Sequence, residues 1–197
     1  MKHCLQLTLS CPVSPTAFCV GSTLFVPALS PLFQTLRPHF HTFPPGTGDP
    51  AGLILGDGYS RQIPGNTHAE ANALANFRSR YAELASHNLI PIETVLREAE
   101  CYATMEPCSV RTSGGPSCAL ELVRAKVRAV YLVSHSLSSL RIERKVLIQK
   151  LVHQGVEEPP DFVQCEGVRI LEDGGIVVRR VVGLEEECLT AARRGRS

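Results

Sequence analysis

Apolar residues along the chain fall into runs of two periods. Short β-type runs occupy Phe18–Val26, Gly52–Tyr59, Cys101–Met105, Val127–Val133 and Ile176–Val182. Between the second and third of these the period changes. Glu70, Leu74, Phe77, Tyr81 and Leu84 recur at three- and four-residue steps, as one helix face requires, and Thr67 stands where an N-cap is expected. Cys118–Lys126, Gly167–Asp173 and Leu184–Ala192 read as further helices, the middle one stopped by Gly174-Gly175. Met1–Cys11 reads as a short helix, and Ser134–His153 as a polar, then amphipathic one. Pro107 sits where it could begin another helix at Cys108. Strands alternating with helices predict an α/β fold, a sheet flanked by helical layers.

Two positions break the pattern. Glu70 shares its face with apolar residues, so a carboxylate is expected to point inward, which a merely solvated glutamate would not do. Pro27–Pro50 holds six prolines, two histidines and no clear period. That is long for the link between two adjacent strands, and it is expected to hold little regular structure.

Composition narrows the class. With 197 residues, 44% hydrophobic and 20% charged, and net charge +1, the chain suits one domain with a sizeable core. A charge so near neutral gives no electrostatic footprint for nucleic acid, and the Arg193, Arg194, Arg196 cluster reads as a solvated tail. The eight cysteines are too sparse for a disulfide scaffold; Cys19 and Cys101 lie in apolar runs, as buried thiols do. No apolar run approaches the roughly 18 residues that span a bilayer. The first stretch is too interrupted for a signal peptide, so a reducing, cytoplasmic setting is expected.

The chemistry concentrates in two motifs, P-G-N-T-H-A-E (Pro64–Glu70) and T-M-E-P-C-S-V-R-T-S-G-G-P-S-C (Thr104–Cys118). His68, Cys108 and Cys118 offer one imidazole and two thiolates, a ligand set that suits Zn2+ with a fourth position left for water. Glu70, one residue beyond the next from His68, is the candidate catalytic proton shuttle between water, ring nitrogen and departing amine. His-x-Glu followed by Pro-Cys and a second Cys is the signature of zinc-dependent nucleobase deaminases. Here the cysteines have nine residues between them instead of two, so the turn-rich spacer must loop out and return.

G-Y-S-R-Q-I-P-G-N-T-H-A-E (Gly58–Glu70) with T-M-E-P-C-S-V-R-T-S-G (Thr104–Gly114) resembles the fungal-type pyrimidine deaminases of riboflavin biosynthesis, in the cytidine deaminase superfamily. E-P-P-D-F-V (Glu158–Val163) and the tail that follows resemble them too. The resemblance covers roughly residues 1–26, 52–133 and 155–192 of a single domain. It implies a three-layer α-β-α sandwich with a central five-stranded mixed sheet, a homodimer, and a small-molecule pyrimidinone ribityl phosphate as substrate. By that likeness His68, Cys108 and Cys118 are the zinc ligands and Glu70 the shuttle. Asn66 and the N–H groups of Ala69 and Glu70 would face the pyrimidinone, and Arg61, Arg111 and Ser113 are candidates for the phosphate. Residues 27–50 and 134–154 depart from the family pattern and read as insertions, translated introns being one origin.

Two other functions fit parts of the pattern. A polynucleotide base deaminase would want a basic groove and stacking aromatics, and aromatic residues make up only 6% with no tryptophan. A zinc-stabilised interaction module would need no inward carboxylate.

Overall fold

The computed structural model describes residues 1–45, 50–84, 90–111, 114–133 and 166–196. The expected helix at Ser134–His153, the motif at Glu158–Val163 and Ser113 lie outside the described residues.

Strand β1 (Gly21–Pro27) pairs antiparallel with β3 (Gly52–Tyr59) on one side and with β4 (Glu100–Ala103) on the other. From β4 the sheet continues in parallel through β5 (Ala129–Leu132) to β6 (Val177–Arg180). Its far edge is β2 (His41–Phe43), antiparallel to β3, so the order is β2-β3-β1-β4-β5-β6. The sheet is mixed, as expected, but has six strands among the described residues where five were expected.

The extra strand comes from the segment between β1 and β3, which is more regular than its prolines imply. A short helix α2 (Phe33–Leu36) precedes β2, and Phe33, Leu36 and Phe40 are buried in the main core. Three large apolar side chains find a core to enter, and that outweighs the absence of a local period.

Helix α1 (Lys2–Leu7) and α3 (Ala69–Glu83) take opposite faces. Gly21 lies against the Cys4 carbonyl of α1. Tyr59 pairs with Gly21, and its neighbour Gly58, pointing the other way, lies against Ala69 and Ala73 of α3. Leu24 and Val26 of β1, Leu53 and Leu55 of β3, and Leu74 and Phe77 of α3 form the core between. Helices α4 (Ile92–Glu98), α5 (Cys118–Ala125) and α6 (Gly167–Asp173) extend that core through Val95, Leu122 and Leu171. Helix α7 (Glu185–Ala192) packs beside α1. The result is an α-β-α sandwich.

Two helix expectations shift. His68, not Thr67, is the N-cap of α3: its backbone is extended, while the Thr67 hydroxyl donates to the Ile63 carbonyl. No helix starts at Cys108; the chain stays irregular until α5 begins at Cys118.

Candidate metal centre

The sheet places the carboxyl ends of β3 and β4 at the same end, on either side of the start of β1, because both run antiparallel to it. Thr104, just past β4, donates its N–H to Gly21 O at 3.1 Å and receives the Gly21 N–H on its hydroxyl at 3.1 Å. Crevices outside the carboxyl ends of strands are where α/β folds collect their ligands. Here α3 begins at Ala69 and α5 at Cys118, with His68 and Cys118 at their first turns.

Helix α3 is fixed to β3 closely. A Cβ on Gly58 would stand 2.2 Å from Ala69 O, and one on Gly56 would stand 2.5 Å from Ala73 O. Only bare α-carbons let the helix come this near. Two asparagines four residues apart then lace the helix to the strand. Asn72 Nδ2 donates to Tyr59 O at 2.8 Å and to the Thr67 hydroxyl at 3.1 Å, and Asn76 Nδ2 donates to Asp57 O at 2.7 Å. The turn before His68 is also closed by Arg61 N–H to Thr67 O at 2.7 Å.

The expected ligands converge. His68 Nδ1 is 3.5 Å from Cys108 Sγ and 3.4 Å from Cys118 Sγ, and all three atoms lie within 4.8 Å of one another. The two ends of the nine-residue spacer meet: Cys108 O accepts the Ala119 N–H at 3.2 Å. In a tetrahedral site with Zn–S of about 2.3 Å and Zn–N of about 2.05 Å, the sulfur–nitrogen edge is about 3.6 Å. The observed edges therefore match that tetrahedron, and the donor set fits zinc in its chemistry and its spacing.

Glu70 is 4% exposed and its carboxyl contacts the Cys118 thiol. Burial pushes its pKa up, against the pull of its own backbone N–H. The hydrogen bond to Cys108 raises the His68 pKa. Cys108 is lowered to about 4, chiefly because the Cys118 thiol donates to it, whereas Cys118 is driven up by the same contact and by burial. A divalent cation at these three atoms would take the place of a thiol proton, since a thiolate is the form that ligates.

The remaining expected residues scatter. Ala69 is buried at the start of α3, and Asn66 is exposed in the turn before His68. Arg111 is near enough to His68 to oppose its protonation, and its buried Nε makes no hydrogen bond among the described residues. The Arg61 guanidinium donates to the carbonyls of Pro12 and Phe18 and so braces the 12–18 loop. Sequence reasoning missed Asn72 and Asn76; the available signal was a pair of amides four apart in an alanine-rich helix. It also missed Gly56 and Gly58, spaced to present one strand face.

No protein-family model matches the chain. The curated diaminohydroxyphosphoribosylamino-pyrimidine deaminase of Schizosaccharomyces pombe is 31% identical over 195 residues, 99% of this chain and 34% of that protein. The chain thus spans about a third of that relative's length. Aspergillus oryzae Rib2 deaminase, a C-terminal deletion mutant, superposes with a TM-score of 0.61 at 28% identity, covering 100% of this chain and 90% of that one. The same protein has been solved in complex with DARIPP, with a TM-score of 0.61 at 26% identity. Acinetobacter baumannii RibD shares the fold, with a TM-score of 0.57 at 19% identity over 98% of this chain and 37% of that one. Along 99% of its length this chain is similar to about a third of the Schizosaccharomyces pombe diaminohydroxyphosphoribosylamino-pyrimidine deaminase, and its fold is similar to that of Aspergillus oryzae Rib2 deaminase.

Proposed function

We propose that the chain is a zinc-dependent hydrolytic deaminase that removes an amino group, as ammonia, from a pyrimidinone ribityl phosphate in riboflavin biosynthesis. The observation that carries this reading is the convergence of His68, Cys108 and Cys118 with buried Glu70 against Cys118. A purely structural zinc site closes its fourth position with a protein ligand and has no use for a buried acid.

His68 Nδ1 and the two Sγ atoms would hold the ion. When bound, it supplies a water acidic enough to attack at neutral pH. Glu70 would take a proton from the attacking water and pass it to the ring nitrogen of the amidine. A second transfer through the same carboxyl protonates the departing amine. A carbon–oxygen bond forms, the exocyclic carbon–nitrogen bond breaks, and a carbonyl and ammonia remain. Burial raises the pKa of Glu70, the direction that favours a group which must both accept and return a proton.

Asn66 and the N–H groups of Ala69 and Glu70 hold the pyrimidinone in this reading, and Arg111 attracts the phosphate. The buried Arg111 Nε, which makes no hydrogen bond among the described residues, supports that role. The chain acts as a homodimer in the cytoplasm; the free thiols of the described cysteines suit a reducing compartment. No helix among the described residues is long and apolar enough to cross a membrane.

The test offers purified protein the pyrimidinone ribityl phosphate, cytidine and a short single-stranded oligonucleotide, and measures ammonia. Release from the first is expected. Release from the oligonucleotide alone would move the substrate to a polynucleotide, and zinc without any release would leave a non-catalytic module.

A further inference from the structure

Cys108 is the one ligand carried by irregular backbone. His68 and Cys118 sit at helix starts, but residues 104–111 belong to neither helix nor strand. Thr104 ties that arm to β1 at one end. The other end is held from far away in the sequence. Glu106 Oε1 accepts the N–H of Val168, in the first turn of α6, at 2.9 Å. Beside it Gly167 rests on Pro107: a Cβ there would stand 1.8 Å from Pro107 O and 3.0 Å from Pro107 C. That carbonyl belongs to the peptide unit that joins Pro107 to Cys108, so α6 presses directly on the bond leading to the ligand.

The contact also serves α6. Its N-cap, Glu166, makes no side-chain cap, and its first turn carries no acidic residue. Glu106 supplies both an acceptor and a negative charge, which a helix N-terminus favours. One carboxylate thereby joins two segments that neither local pattern would hold together.

Resting on the metal reading above, we propose that Glu106 is a positioning residue of the metal centre: clamped to Val168 and Gly167 of α6, it sets the peptide that aims Cys108 Sγ at the ion. It touches neither substrate nor metal. Partners of ligands typically change metal affinity by about 10–100-fold, and the effect here should fall in that range.

The experiment compares zinc-loaded wild type with E106A, E106Q, V168P and E106A/V168P. Zinc loss to an excess of chelator is timed, and the cobalt-substituted forms are compared by their thiolate-to-cobalt absorption. Proline is tolerated in a first helical turn, so V168P removes the donor while leaving the helix able to form. E106A and V168P should each lose zinc about 10–100-fold faster, with a weakened cobalt–thiolate band. E106Q keeps an acceptor and should stay close to wild type. The double variant should be no worse than either single one, the non-additivity of a shared contact. G167A should reproduce the loss if it folds, but the cycle does not depend on it. Zinc-loaded E106A with wild-type release and spectrum would overturn the positioning role alone. So would additive losses in the double variant. A wild type that binds no zinc would overturn the metal reading, and this role with it.

Discussion

The two arms that meet at the candidate metal centre are built in opposite ways. The His68–Glu70 arm is the first turn of a 15-residue helix, seated on bare glycines and laced by two asparagines to the strand just before it. The Cys108 arm has no regular structure, and its hold on α6 spans 62 residues of sequence. The first arm is fixed by neighbours in the chain and the second by a distant element. Damage to the first should therefore spread through the core, while damage to the second should stay at the ligand.

The largest effect should come from filling the α3–β3 contact. Gly58→Ala sets a methyl 2.2 Å from Ala69 O and 2.4 Å from Ala73 N, both backbone atoms that cannot swing aside. Thermal unfolding should show a loss of about 3 kcal/mol or more, the upper end of overpacking costs, with the metal centre lost as well. Asn72→Ala comes next. It is 2% exposed and removes two hydrogen bonds, so a loss of roughly 1–3 kcal/mol is expected. A smaller change belongs to the cysteine side: the Ser117 hydroxyl accepts the Leu120 N–H at 3.3 Å, and Ser117→Ala should cost about 1 kcal/mol. A loss at Gly58 no larger than that at Ser117 would contradict the close seating of α3 on β3.

A chemical probe sharpens the same contrast without mutation. With its pKa lowered to about 4, Cys108 is a thiolate at pH 6, where an ordinary thiol is ionised to roughly 1% or less. Cys4, Cys11, Cys101, Cys118 and Cys188 are all shifted the other way, and all five are buried. Alkylation of metal-free protein at pH 6, mapped by mass spectrometry, should therefore mark Cys108 first among the described cysteines, and zinc should protect it. First labelling at Cys101 would contradict this picture.

Much of this was legible in the sequence because it is local. Helical spacing placed Glu70, Leu74 and Phe77 inward, and all three are buried. The convergence of His68, Cys108 and Cys118, whose ligand atoms lie within 4.8 Å of one another, was legible for another reason: imidazole and thiolate types in that order have few other uses. What could not be read was long-range. Phe33, Leu36 and Phe40 show no period, yet they enter the core because β2 finds a partner in β3. Nothing near Glu106 says that its acceptor serves Val168. The start of α3 moved from Thr67 to His68 because Thr67 is held by Ile63 and Asn72, contacts that capping preference does not weigh.

The most direct test of the central claim is E70Q, assayed for bound zinc and for ammonia release from the pyrimidinone ribityl phosphate. The glutamine keeps the shape but cannot carry a proton. Zinc should remain at the wild-type level while release falls by about 10²–10⁴-fold, the usual contribution of a positioned acid–base group. Wild-type release by E70Q, with zinc in place, would contradict it.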